Sequence, residues 1–94
     1  MPTLRAVFDG SDITLDRAMV MVGRHPQCDA RLDSLWVPRR HCILTEYGGG
    51  VVVRDLGSTN GIRINGPRVE RGRLRPGDEI SIADIRYRLD GAPA

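Results

Sequence analysis

Residues 37–41, with the sequence VPRRH, place two adjacent arginines and a histidine directly after a proline. Upstream of them stands the pair Gly23-Arg24, and downstream stand residues 55–61, with the sequence DLGSTNG. Glycine, serine and asparagine dominate turns, so residues 55–61 by themselves predict only a turn. Each of the three segments alone is a weak signal for a functional site, but their ordered combination is a specific one. The sequence around the three segments indicates the fold that carries them.

That surrounding sequence has the periodicity of β-strands. Runs of strand length occupy residues 3–8, 13–15, 18–22, 41–47, 51–55, 62–64, 79–83 and 85–89. Turn residues separate these runs, and Asn65-Gly66 is the strongest of the short hairpin signals. Apolar residues nowhere keep helical spacing over the roughly ten positions that a helix needs. Short strands at close intervals predict an all-β sandwich or barrel.

The charged residues limit the possible chemistry. All fourteen basic residues are arginine, and with twelve acidic residues the net charge is +2. Arginine keeps its charge at any ordinary pH, so the chain has no lysine nucleophile or Schiff-base residue, whereas the planar arginine fork suits phosphate. A genome-wide preference for arginine would give the same composition. Because the arginines are spread along the chain instead of forming one stripe, nucleic acid is not a favoured partner.

Length and composition predict a single domain over residues 1–90, followed by a flexible tail at residues 91–94. No apolar run approaches the roughly 20 residues that span a membrane, and the N-terminus lacks the apolar segment of a signal peptide, so we expect a cytoplasmic location. Cys28 and Cys42 fit no zinc or redox spacing. We predict two half-buried free thiols in preference to a disulfide, and neither a metal nor a cofactor.

In order and separation, the three segments resemble the forkhead-associated (FHA) domain, a small β-sandwich that reads phosphothreonine in partner proteins. The resemblance covers about residues 21–89. It implies an all-β, FHA/SMAD-like sandwich of two antiparallel or mixed sheets with about eleven short strands. The binding loops of such a domain gather at one end, and the implied partner is a threonine-phosphorylated protein or peptide in protein–protein signalling.

The resemblance also assigns ligand contacts to particular residues. Arg24 matches a phosphate ligand, and Arg39 matches a position that binds phosphate or the peptide backbone. Thr59 matches the residue that borders the phosphothreonine. Asn60 matches an asparagine that hydrogen-bonds the peptide backbone just after it, a role that suits an amide with both a donor and an acceptor. Alternation along a strand would turn Arg40 away from Arg39, so we expect Arg40 to be solvated.

Other residues of the motifs are expected to support the site without touching the ligand. The family histidine holds the loops in shape through hydrogen bonds, and His41 occupies its position. Gly23 would let the backbone turn sharply before Arg24. Ser58 and Gly61 complete the turn that carries Thr59 and Asn60.

Pro38 departs from the family pattern, which has a serine whose hydroxyl touches the phosphate. Proline has neither a hydroxyl nor a backbone N–H. One charge-assisted hydrogen bond contributes roughly 1.5–3 kcal/mol, so its loss corresponds to roughly ten- to hundredfold in affinity. Two interpretations follow: weakened phosphothreonine binding, which we favour, or a phosphate-independent interaction domain on the same fold.

Trp36, the only tryptophan, is either a core residue or an exposed contact residue beside Pro38. Catalysis is a further alternative, because Ser58, His41 and Asp55 could be imagined as a triad. Serine, histidine and aspartate occur together by chance in most sequences, and a triad is recognised only by geometry. We therefore expect a binding protein, not an enzyme.

Overall fold

The computed structural model describes residues 2–8 and 10–90, and this part of the chain consists of strands and turns without a helix. Eleven short strands follow one another: β1 Thr3–Ala6, β2 Ile13–Thr14, β3 Met19–Gly23, β4 Ala30–Arg31, β5 Cys42–Tyr47, β6 Gly50–Asp55, β7 Ile62–Ile64, β8 Arg68–Val69, β9 Arg71–Leu74, β10 Glu79–Ile82 and β11 Ile85–Asp90.

The strands form two sheets. One has six strands in the order β2-β1-β11-β10-β7-β8, and the other has five in the order β4-β3-β5-β6-β9. Neighbouring strands are antiparallel except β3 and β4, which are parallel. The predicted all-β sandwich of about eleven short strands in antiparallel or mixed sheets is confirmed.

The core lies between the sheets, and strand alternation fills it. In β5, Cys42 and Leu44 are fully buried, while the intervening Ile43 is only half-buried. Leu4 and Ile80 of the six-stranded sheet face Leu44 and its neighbours in one continuous cluster. Full burial of such a side chain contributes roughly 1.5–3 kcal/mol, so the core fixes the frame from which the loops project.

The Asn65-Gly66 hairpin is confirmed. Both residues have positive φ, 52° and 112°, as a two-residue hairpin turn requires. The turn joins β7 to β8 and sets Arg63 opposite Arg68. Strands β4, β8 and β9 were not predicted, because two are only two residues long and β9 buries a single large apolar side chain.

Both cysteines are free thiols, as predicted. Cys42 is fully buried, not half-buried, because it points inward from β5. Within the described ranges, no helix is long and apolar enough to cross a membrane. The predicted tail, residues 91–94, lies outside the described residues.

We predict that Cys42 resists alkylation in the native protein. Burial, and then the neighbouring carboxylate of Asp55, raises the pKa of the Cys42 thiol well above its ordinary value. Since the thiolate is the reactive form, iodoacetamide at mildly alkaline pH should label Cys42 only after denaturation, as read by mass spectrometry. The control is Cys28→Ser, in which Cys42 is the only thiol. Labelling of that variant as fast when native as when unfolded would contradict the prediction.

Candidate functional site

Three loops meet beside the sandwich: loop A (residues 24–29), loop B (residues 32–41) and loop C (residues 56–61). Backbone hydrogen bonds join loops A and B. The Arg24 N–H donates to the Pro38 carbonyl at 2.9 Å, and the His25 N–H donates to the Arg39 carbonyl at 3.2 Å. The Cys28 thiol donates to the same Arg39 carbonyl at 3.1 Å. The bonds bring Arg24 beside the segment that carries Pro38 and Arg39.

Gly23 permits this approach through its lack of a side chain. A Cβ atom at Gly23 would overlap the Arg39 carbonyl and lie 2.9 Å from the Arg40 Cα. The positive φ angles of the described residues do not include Gly23, which ends β3. The chain bends directly after Gly23, at Arg24 and His25, but without a positive φ at Gly23 itself, so close packing of loop B against β3 is what requires glycine there.

His41 joins loops B and C from inside the protein. Its ring is fully buried, and Nε2 donates to the Gly61 carbonyl at 2.8 Å. Since a carbonyl only accepts, the neutral ring carries its proton on Nε2. The His41 N–H donates to Val22 at 2.8 Å, and its carbonyl accepts from the Leu56 N–H at 2.9 Å. Both ends of loop C are thus tied to one residue.

Loop C has an internal network around Ser58. The Ser58 hydroxyl donates to Asp55 and accepts from the Gly61 N–H at 3.0 Å, and the Ser58 N–H also donates to Asp55, at 3.2 Å. A serine protease triad would instead need the serine hydroxyl to donate to histidine. Here the serine hydroxyl donates to a carboxylate, and the His41 ring donates to Gly61. The three residues shape loop C and do not form a relay.

Asn60 ties loop C to loop B. Its side-chain Nδ2 donates to the Trp36 carbonyl at 2.9 Å, while Asn60 itself is exposed. The Trp36 side chain is 61% exposed, so of the two alternatives for Trp36 the structure selects the surface position. Ser34 donates to Asp84 at 2.8 Å and fixes the start of this turn to the six-stranded sheet. Trp36 and Asn60 together line a shallow depression.

The arginines of loops A and B have no acidic partner among the described residues. Arg24 is half-buried, Arg39 and Arg40 are exposed, and the side chains of all three lack hydrogen bonds and ion pairs to any described residue. Arg39 and Arg40 line one depression with Pro38. The expectation that Arg40 is solvated is confirmed, but its premise is wrong, because loop B forms no strand here and alternation does not apply. Arg39 and Arg40 are both solvated.

Pro38 lies in loop B and Thr59 in loop C. Pro38 is half-buried, and its carbonyl is occupied by the Arg24 N–H. Thr59 is exposed, and its carbonyl accepts from Arg68 at 3.1 Å. The network brings Arg24, Pro38 and Arg39 together and joins loop C to them through Asn60. No group of His, Cys, Asp or Glu among residues 2–8 and 10–90 is arranged to hold a metal ion.

Arg68 is a residue of the site that sequence reasoning missed. Its guanidinium donates to the carbonyls of Ser58 and Thr59, at 3.3 and 3.1 Å, and packs on Gly61. Gly61 also has a positive φ of 70°. The Asn65-Gly66 hairpin is the sequence signal that could have indicated Arg68. A two-residue turn there pairs β8 with β7, whose first residues follow loop C, and so places Arg68 beside that loop.

A sequence model of the FHA domain matches residues 20–83 of this chain. The chain belongs to the FHA domain family. A curated relative is the glycogen accumulation regulator GarA of Mycolicibacterium smegmatis, which is 40% identical over 77 residues, or 82% of this chain and 49% of the relative. This FHA chain therefore spans about half the length of that relative.

Solved structures show the same fold. Mycobacterium tuberculosis EmbR in complex with a low-affinity phosphopeptide has a TM-score of 0.89 and 29% identity, covering 99% of this chain and 25% of EmbR. A structure from work on phosphothreonine-dependent FHA domain interactions has a TM-score of 0.88 and 28% identity, covering 99% of this chain and 98% of the other. The described fold of this FHA domain is therefore the same as that of both solved structures.

We predict that Gly61→Ala costs more stability in the parent than in an Arg68→Ala background. In the parent the new methyl group meets the Arg68 guanidinium and an unfavourable φ, whereas in the variant only the φ cost of about 1–2 kcal/mol remains. A double-mutant cycle of urea unfolding free energies measures the difference. Gly57→Ala is the control, because Gly57 has a φ of 80° with open space around it. Equal costs of Gly61→Ala in both backgrounds would contradict the packing argument.

Proposed function

We propose that this FHA domain is a binding module that holds a threonine-phosphorylated protein or peptide at loops A, B and C in protein–protein signalling. The observation that carries the proposal is that Arg39 and Arg40 line one depression with Pro38, while the backbone of Arg24 is bonded to Pro38, and none of the three guanidinium groups is paired with a described residue. Arginine forks without carboxylate partners are suited to a dianionic ligand. The EmbR complex and the phosphothreonine-dependent FHA structure support this choice of ligand.

Arg24 is proposed as the principal phosphate ligand. It is half-buried, and its backbone N–H is anchored to Pro38, so the side chain starts from a fixed point next to loop B. Charge-assisted hydrogen bonds are stronger in such a partly desolvated position than on an open surface. Arg39 is proposed to bind the phosphate or the adjacent peptide backbone from the exposed side. Arg40, in the same depression, adds positive charge.

Loop C is proposed to hold the peptide itself. Thr59 is exposed and borders the phosphothreonine in this proposal. The side-chain N–H of Asn60 donates to the Trp36 carbonyl, so the side-chain carbonyl of Asn60 remains to accept a peptide N–H. Gly23, His41, Ser58 and Gly61 hold the loops in place through the contacts described above. The ligand residues thus project from loops that are already connected to one another.

Trp36 is proposed as the contact for an apolar residue a few positions after the phosphothreonine. Its ring is exposed, while its backbone is fixed by the Asn60 bond and by the bond from its own N–H to Ser34 at 3.2 Å. A large exposed aromatic side chain on a fixed backbone is an effective anchor for a partner, because little conformational entropy is lost on binding.

Pro38 weakens the proposed phosphate site, because no hydroxyl stands at the family's serine position. The same observation favours one alternative, a phosphate-independent interaction domain on this fold. In that alternative the loop surface binds its partner through Trp36, Asn60 and the arginines without a phosphate. The two functions differ in whether the phosphate contributes affinity.

We expect a phosphothreonine peptide to bind more tightly than the phosphoserine and unphosphorylated forms of the same peptide. Arg24→Ala should weaken phosphothreonine binding roughly tenfold or more, because it removes a charge-assisted contact. The measurement is calorimetric titration of all three peptides. Arg63→Ala is the control, since it removes the same charge from the outer face of the six-stranded sheet. Equal affinity for all three peptides would favour the phosphate-independent alternative.

Pro38→Ser should raise affinity for the phosphothreonine peptide roughly tenfold or more, through one added hydrogen bond to a dianion. The unphosphorylated peptide should gain nothing. Pro38→Ala is the matched control, because it also removes the proline ring, at about 1 kcal/mol of stability, but adds no hydroxyl. If Pro38→Ser binds the phosphopeptide no better than Pro38→Ala does, the phosphate does not lie beside residue 38.

A further inference from the structure

The arginines that lack partners are not scattered at random. Among the described residues, eight arginine side chains make hydrogen bonds or ion pairs: Arg5, Arg17, Arg31, Arg63, Arg68, Arg73, Arg86 and Arg88. The side chains of the other six make neither: Arg24, Arg39, Arg40, Arg54, Arg71 and Arg75. Three of these six belong to the proposed phosphate site. Arg54 and Arg71 form a second group, away from loops A and B.

Arg54 and Arg71 are direct cross-strand partners on β6 and β9. Side chains in that relation start about 5 Å apart, and like charges placed there are destabilising. The adjacent strand on one side presents Ile43, opposite Arg54, and β9 is the edge of its sheet. The next residue on the same face of β9 is Arg73, which reaches the Gly48 carbonyl at the far turn. No neighbouring strand therefore places an acid against the pair.

Two carboxylates, Asp55 and Glu70, line the same depression as the pair, but neither forms an ion pair with it. Asp55 accepts two hydrogen bonds from Ser58, one on each oxygen. Glu70 lines the same depression as Arg54 and Arg71 but makes no ion pair with a described residue. The two guanidinium groups thus line a depression without a hydrogen bond or ion pair to any described residue, although two carboxylates line it as well.

We propose that Arg54 and Arg71 form a second anion site, which takes a phosphate or carboxylate on the same partner that carries the phosphothreonine. The identity of the ligand at this second site rests on the proposed function, and the position of the site rests on the arginine pair. A tetrahedral phosphate with several acceptor oxygens can bridge two arginine forks and remove their repulsion. A carboxylate has the same chemistry with less charge, so a phosphate should bind more tightly.

The depression begins close to the proposed peptide path. Gly57 lines it together with Arg54 and Arg71, and Gly57 lies two residues before Thr59. Two residues of chain span at most about 7 Å. An extended peptide advances about 3.3 Å per residue, so a residue two to four positions from a phosphothreonine beside Thr59 reaches the arginine pair.

The test uses the full chain and a phosphothreonine peptide that carries a second phosphothreonine, or a glutamate, at each position within four residues on either side. Calorimetry compares the parent with the double variant Arg54→Gln/Arg71→Gln. The control is Arg63→Gln/Arg75→Gln, which removes the same charge elsewhere. At one or two neighbouring positions we expect the second phosphate to raise affinity on the order of fivefold or more, and glutamate to raise it less. The gain should vanish in Arg54→Gln/Arg71→Gln and persist in the control.

A gain that is absent at every position, that survives in Arg54→Gln/Arg71→Gln, or that is lost equally in the control overturns the second site. A peptide that carries only the second phosphate separates this result from the proposed function. If it binds the parent better than the unphosphorylated peptide and loses that advantage in Arg54→Gln/Arg71→Gln, the second site stands even where the phosphothreonine adds nothing. If it gains nothing while the phosphothreonine peptide does, only the second site fails.

Discussion

The hydrogen bond from the buried ring of His41 to the Gly61 carbonyl is the constraint on which the three loops depend. The backbone of His41 is itself bonded to Val22 of β3 and to Leu56 at the start of loop C. Because the ring is fully buried, breaking its bond would leave the Nε2–H of His41 unpaired, at a cost of roughly 1–3 kcal/mol. Loop C is therefore fixed at both ends relative to the five-stranded sheet, and so are the exposed side chains between those ends.

The remaining contacts extend this constraint outward. The hydrogen bond from Asn60 to the Trp36 carbonyl fixes loop B relative to loop C. The hydrogen bond from the Arg24 N–H to the Pro38 carbonyl then fixes loop A relative to loop B. Arg68 holds the outer side of loop C. A ligand that binds such connected loops loses little free energy in ordering them, so more of its interaction energy appears as affinity. Such connected loops matter most for the proposed site, in which Pro38 would remove one phosphate contact.

The net charge is only +2, but the arginines are unevenly paired with acidic residues over the surface. On the outer face of the six-stranded sheet, Arg5 pairs with Asp90 and Arg88 pairs with Glu79. Around loops A and B and across β6 and β9, the arginines meet no such partners among the described residues. Arginines without ion pairs to described residues are consequently concentrated at one set of loops and one sheet edge, where their free donors suit anionic partners without requiring a strongly basic protein.

The sequence by itself determined the fold class, most strands and the Asn65-Gly66 hairpin, because strand periodicity and turn chemistry are local properties of the chain. The motifs also indicated the segments of the candidate site. Sequence reasoning expected a solvated Arg40, as the structure has it, but for the wrong reason, since alternation holds only within a strand and loop B is not one. It could not choose between a buried and an exposed Trp36, and it missed Arg68 and the Arg54–Arg71 pair. Those were decided by the tertiary structure alone, because strand register, loop contacts and the absence of acidic neighbours arise only when distant segments pack together.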